Sequence, residues 1–286
     1  MAASRGGSVP LAPEVVRDSK IVFISEFAQI IFGLVIIGIL SNDLTLERFG
    51  IWFSVIAVFQ FMMIVEFGFS TVVARFVPEP AICNKTLISN VRKSQIIISI
   101  ILIPICIAVL SILFDKNELI DPPIIILGVS TLAVSCTNIN RTFLRTIGLS
   151  YGEVKISLVD RGVTVFLLVF SREIIGVNEV AYLVSFITGP VIGFFFSSYL
   201  VNSQLPQKPV GGDSFTIKDL LNESLPFAID SVLTPLSESV TRIAILIISG
   251  AAAVAIFEIA WKVFIGGSAI VRSIRKSMLS SFSSNK

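Results

Sequence analysis

The chain predicts an all-α, polytopic integral membrane protein, and three observations carry that prediction. About eight apolar runs of roughly 20 residues recur along it, and a hydrocarbon core about 30 Å thick needs roughly that many helical residues to cross. The polar segments between the runs alternate between rich and poor in Lys and Arg. Apolar residues make up 54% of the chain and charged residues 15%, whereas soluble domains carry about 25% charged residues. A length of 286 residues is compatible with one or two soluble domains; the apolar runs override that prior.

The spans fall at 21–40, 51–72, 95–114, 122–140, 154–171, 179–200, 225–249 and 251–271. Between them, Arg75, Lys85, Arg92, Lys93, Arg141, Arg145, Lys208 and Lys218 share one side with the Lys and Arg of both termini, and only Arg48, Lys116 and Arg172 share the other. Because cytoplasmic loops collect Lys and Arg, this predicts a multi-pass protein of the cytoplasmic membrane with both termini inside. Residues 1–20 form a cytoplasmic segment without the short apolar core and cleavage site of a removed signal peptide, so the first span is a retained helix. Residues 21–200 form a first six-helix lobe, 201–224 a cytoplasmic linker, 225–271 the first two helices of a second lobe, and 272–286 a cytoplasmic tail.

Composition also excludes chemistry. There is no histidine, which removes the commonest metal ligand and general base at neutral pH. The outer loops, at 41–50, 115–121, 172–178 and the turn at Gly250, are too short for a catalytic domain. No phosphate-cradling glycine loop, metal cluster or nucleophile with a base is present. The expectation is therefore a non-enzyme with no cofactor, no metal and no nucleic-acid partner. Cys83, Cys106 and Cys136 fall in a loop and two spans, which predicts free thiols.

The linker carries Pro206, Pro209, Gly211 and Gly212, then Thr216 and Asp219 at capping-box spacing, with Ile217, Leu220 and Leu221 on one face of a short interfacial helix. Phe49-Gly50-Ile51-Trp52 in the second span and Val254-Ala255-Ile256-Phe257 in the eighth suggest a parallel repeat, a transporter architecture in which substrate is handled between the repeats. Glu26 and Asp230 then fall at nearly the same depth. Gly189-Pro190-Val191-Ile192-Gly193 has the small-residue spacing of a close helix contact.

The run Phe49-Gly50-Ile51-Trp52, leading to Glu66-Phe67-Gly68-Phe69 and Arg75, resembles the second helix of the polysaccharide and O-antigen flippases. Leu225-Pro226-Phe227-Ala228, Arg242, Gly250 and Ala253-Val254-Ala255-Ile256-Phe257 with Ala260 and Lys262 are similar to the seventh and eighth helices of the same family, which shares a superfamily with the multidrug exporters. The resemblance implies a carrier of two six-helix lobes that moves lipid-linked oligosaccharide across the membrane by alternating access, for polysaccharide or lipopolysaccharide biosynthesis. It also implies a polysaccharide polymerase and glycosyltransferases as partners. Eight spans instead of twelve leave the second lobe incomplete, and its two helices are expected to pack loosely on the first lobe.

Ionisable groups within spans cost roughly 2.5–3.5 kcal/mol at the bilayer centre and face a bundle interior or a watery cavity. Glu26, Glu66, Asp160, Arg161 and Asp230 lie near the cytoplasmic ends, while Glu238, Arg242 and Lys262 sit deepest. In the seventh span Asp230, Thr234, Ser237 and Thr241 fall within an arc of about 60°, with Glu238 and Arg242 at its edge, and Pro235 bends the helix. Arg242, Glu238, Lys262 and Asp230 are thus candidate substrate-binding residues, with Arg242 suited to a diphosphate. Glu26, Glu66 and Glu258 are candidate ion-coupling groups. Two alternatives stay open. One is a proton- or sodium-coupled drug exporter, and the other is a membrane assembly subunit in which Glu238 with Arg242, and Glu258 with Lys262, are i,i+4 pairs that only permit insertion.

Overall fold

The computed structural model describes residues 13–60, 68–77, 85–113, 123–205 and 217–284, and every regular element among them is α-helical. In chain order these are α1 (Pro13–Asp43), α2 (Leu46–Gln60), α3 (Phe69–Phe76), α4 (Lys85–Leu113), α5 (Pro123–Thr146), α6 (Ser150–Ile174), α7 (Glu179–Gln204), α8 (Ile217–Ser249) and α9 (Ala251–Ser284). At 1.5 Å per residue, the 31 residues of α1 reach about 46 Å, longer than a hydrocarbon core. Among the described residues, Leu87–Ile112 and Glu179–Gln204 are long and apolar enough to cross a membrane on length and composition alone.

The second span departs from the uninterrupted helix predicted over 51–72. α2 is described as far as Gln60, and α3 starts after Gly68, whose φ of 68° lies in the left-handed region. Glycine adopts that conformation without a Cβ clash, and a right-handed helix cannot run through it. The predicted interfacial helix is also absorbed into a longer element. Ile217 opens α8, which continues to Ser249, so its apolar residues form the first turns of the seventh span. α7 begins as capping chemistry requires, with the Asn178 side chain accepting from the backbone N–H of Val180 at 2.9 Å and of Ala181 at 3.4 Å.

Two apolar cores stand at opposite ends of the bundle. The first gathers Leu40 of α1, Phe49, Trp52 and Phe59 of α2, Leu110 of α4, Tyr182 of α7 and Val254 with Ala255 of α9. The second gathers Phe69 and Val72 of α3, Leu87 and Val91 of α4, Ile139 and Phe143 of α5, Ile156 of α6 and Leu220 of α8. Val254 and Ala255 thus tie α9 to the first core, and Leu220 ties the start of α8 to the second. A Cβ placed on Gly50 would lie 1.8 Å from the Ala251 carbonyl oxygen, so the openings of α2 and α9 touch backbone to backbone.

Charges sort to the two ends as the loop pattern predicts. Asp43 joins Arg172 at 3.2 Å and accepts from the Tyr182 hydroxyl at 2.6 Å, with Arg48 near Glu179 at 3.8 Å. At the other end lie Arg75 with Glu223 at 3.5 Å, Arg145 with Glu153 at 2.5 Å, and Arg92 on Asn140. Lys116 and Lys208 fall outside the described residues, as does Cys83. Cys106 and Cys136 are buried free thiols, as expected.

Candidate functional site: a charged seam against the α8–α9 hairpin

α8 and α9 are joined through one residue, Gly250, whose φ of 81° lets its N–H close onto the Leu246 carbonyl at 3.0 Å. An L side chain is strained in that conformation, which explains the glycine. So tight a hairpin makes residues equidistant from the turn neighbours. Arg242 and Glu258, each eight residues from Gly250, form an ion pair through Arg242 Nε and Glu258 Oε1. Both are almost fully buried, at 3% and 1% exposure.

The guanidinium does more than close the hairpin. Its Nη1 donates to Gln60 Oε1 at 3.0 Å, which ties α8 to α2, and lies 3.9 Å from Glu238 Oε2. Glu258 Oε2 is buried without a hydrogen-bond partner among the described residues. Lys262, one turn further along α9, lies within electrostatic reach of Glu258, Glu238, Arg242 and Arg161 of α6. Three cations, Arg242, Lys262 and Arg161, thus share this region with two carboxylates, Glu238 and Glu258.

The structure revises the predicted pairing. Glu258 is engaged by Arg242 across the hairpin, so the expected i,i+4 pair with Lys262 does not form, and Lys262 has no ion pair among the described residues. The Glu238–Arg242 contact is present but is the longer of the two that Arg242 makes with carboxylates. Sequence reasoning left Arg161 unassigned and missed Gln60 altogether. A neutral amide in an apolar helix carries no charge signal, whereas the matched distances of Arg242 and Glu258 from Gly250 were a usable one. Glu66 lies outside the described residues. So do the side chains of Glu26, Asp230, Thr234 and Pro235, together with the bend predicted at Pro235.

The Gly189–Gly193 motif is a packing device, as its spacing suggested. A Cβ on Gly189 would meet Thr164 Oγ1 at 1.9 Å, and one on Gly193 would meet Asp160 Cβ at 2.9 Å. α7 is thereby seated on α6 beside the buried pair formed by Arg141 Nη2 and Asp160 Oδ2 at 3.2 Å. No group of His, Cys, Asp and Glu able to hold a metal occurs among the described residues.

This architecture is that of a polytopic helical membrane protein, and solved transporters share its fold. The chain matches a MATE transporter bound to MaD5 with a TM-score of 0.70 at 17% identity, over 96% of this chain and 67% of that one. It matches an outward-facing MATE family multidrug resistance transporter of the MOP superfamily with a TM-score of 0.68 at 18% identity, over 93% and 63%. A MOP superfamily transporter from Pyrococcus furiosus Vc1 (DSM3638), whose binding pocket of reverse polarity suggests a different function for it, matches with a TM-score of 0.69 at 15% identity, over 93% and 63%. The chain spans about two thirds of the length of these transporters. No curated protein matches it by sequence. Residues 15–276 match the model of the polysaccharide biosynthesis protein family, and the chain belongs to that family.

Proposed function

We propose that the chain forms the first lobe and the opening of the second lobe of a flippase that moves lipid-linked oligosaccharide across the cytoplasmic membrane by alternating access. In that reading 21–200 is the first lobe, 201–224 the linker, and 225–271 the start of the second. Both termini lie in the cytoplasm, and a polysaccharide polymerase and glycosyltransferases act beside it. One observation carries the reading. The described groups of the seam hold more cations than carboxylates, in a place where burial makes an uncompensated charge costly, and a diphosphate-linked substrate supplies the missing anion. Arg242 and Lys262 bind that head group, Glu238 and Gln60 hold Arg242 in place, and Asp230 extends the polar path.

A second reading rests on Glu258. Its unpartnered buried oxygen is a site for a proton or sodium ion, with Glu26 and Glu66 as further coupling groups, and such coupling also suits a drug exporter. The two readings divide on the sign of the cargo.

The test uses the protein expressed from its own gene, with export of lipid-linked oligosaccharide and protein abundance measured together. Arg242→Ala abolishes export at unchanged abundance, and Arg242→Lys retains part of it by keeping the charge without the planar fork. Restored export in a double Arg242→Ala, Glu258→Ala variant sinks the substrate role and leaves a structural pair. Single-cysteine labelling from outside intact cells modifies position 43, 116 or 172; labelling at 93, 145 or 208 overturns the orientation.

A further inference from the structure

Arg48, Arg75, Arg141, Arg145, Arg172 and Arg242 each lie 3.9 Å or less from a carboxylate oxygen. Arg92 does not. Its Nε and Nη2 donate to Asn140 Oδ1 at 3.1 and 2.7 Å, and its Nη1 donates to Asn202 Oδ1 at 3.4 Å. Asn140 is itself fixed by donating to Ser197 Oγ at 2.8 Å. The guanidinium is therefore aimed by three bonds to neutral amide oxygens. A guanidinium has five N–H groups, so two remain, and no carboxylate among the described residues matches its charge.

Lys93, the next residue, is exposed and forms no ion pair among the described residues. Beyond it, α4 presents an exposed apolar stripe: Ile97 and Ile100 lie four and seven residues on from Lys93, on the same helix face, and Ile96 lies four on from Arg92. Ile101 and Ile112 continue the stripe at 60% and 84% exposure. Two cations thus head a path of aliphatic side chains along one helix. That is the shape and polarity of a phospholipid: phosphate at the end, acyl chains alongside.

We propose that Arg92 and Lys93, with Asn202 beside them, bind the head-group phosphate of an anionic phospholipid whose acyl chains lie on the Ile96–Ile101 face of α4. Charge complementarity selects the anionic lipid, because a zwitterionic head group brings its own cation to a site that already holds two. The pre-aimed guanidinium takes the phosphate oxygens as a fork, and Lys93 adds a mobile point charge. The bound lipid fills the outer face of the α4–α5–α7 contact without entering the charged seam.

The test is native mass spectrometry of the full chain released from nanodiscs of equal phosphatidylglycerol and phosphatidylcholine. Wild type retains phosphatidylglycerol in preference to phosphatidylcholine. A double Arg92→Gln, Lys93→Gln variant loses that preference by about tenfold. Gln at 92 keeps a side-chain N–H for Asn140, and Lys93→Gln alone breaks no contact and still lowers retention, so loss of fold does not mimic the result. Arg48→Gln, at the opposite end of the bundle, leaves retention unchanged. An unaltered lipid ratio in the double variant, or an equal fall in Arg48→Gln, overturns the assignment.

Discussion

Two sets of buried charge sit in one bundle and are built on different rules. Within the α5–α6–α7 contact, Arg141 meets Asp160 and Arg145 meets Glu153, one cation to one carboxylate. Glycines bring the backbones around Asp160 so close that a single added carbon has no room. At the seam, Arg242 meets Glu258, Glu238 and the Gln60 amide, while Lys262 stands within electrostatic reach of both carboxylates and of Arg161. The first set is matched one to one in charge, although Asp160 Oδ1 is buried without a hydrogen-bond partner among the described residues. Among the described residues the second holds three cations to two carboxylates and spans helices that belong to different parts of the chain. The difference teaches that burial alone does not mark a site, whereas burial with an unbalanced charge does.

The comparison breaks most readily at Asp160. Asp160→Ala strands Arg141 in a buried position, and removing one partner of such a pair costs about 3–5 kcal/mol. Abundance and the thermal midpoint in detergent fall sharply, and a double Arg141→Met, Asp160→Leu variant recovers most of the loss. No recovery in the double variant means that the pair does more than hold helices together.

Gly50→Val comes next. Its side chain must push α2 away from the Ala251 carbonyl, and overpacking of this kind costs about 1–3 kcal/mol. Because Gln60 lies on the same helix, the change also disturbs the Arg242 contact, so export falls further than abundance does. A variant with normal export shows that the two helices need not touch.

Smaller effects sharpen the contrast. The Arg75–Glu223 pair is exposed, and such pairs are worth about 0–1 kcal/mol, so Arg75→Ala leaves the unfolding midpoint nearly unchanged and its small effect fades further in high salt. Arg161→Gln has the least effect on stability, within about 0.5 kcal/mol, since no ion pair is lost. It nevertheless reduces export in the same assay that tests Arg242. Full export with Arg161→Gln removes Arg161 from the seam's function and leaves Arg242 and Lys262 balanced by Glu238 and Glu258, which sinks the cationic surplus.

Much of this was legible in the sequence because membrane burial imposes length and sidedness on every helix. The sorting of Asp43 with Arg172 at one end, and of Arg75, Arg92 and Arg145 at the other, follows from loop composition alone. Gly189 and Gly193 announced a close contact by spacing. The break at Gly68 was not legible, because a hydropathy window averages over a single backbone dihedral. Nor was the Gln60–Arg242 bond, which joins residues 182 positions apart. The choice of Glu258 over Glu238 as the tight partner of Arg242 was missed because i,i+4 spacing sees only one helix. The hairpin register would have corrected it.

Gly250 has one more consequence. With a single residue between Ser249 and Ala251, the two long helices have no slack in which to slide along each other. Moving one past the other by a turn takes about 5.4 Å, which the tether cannot yield. Shear inside the hairpin is thus forbidden by chain length before any energy is counted. Any large rearrangement here has to swing α8 and α9 as one rod, with its working end far from the pivot at Gly250, so that a few degrees at the turn become ångströms at the opposite face of the bilayer.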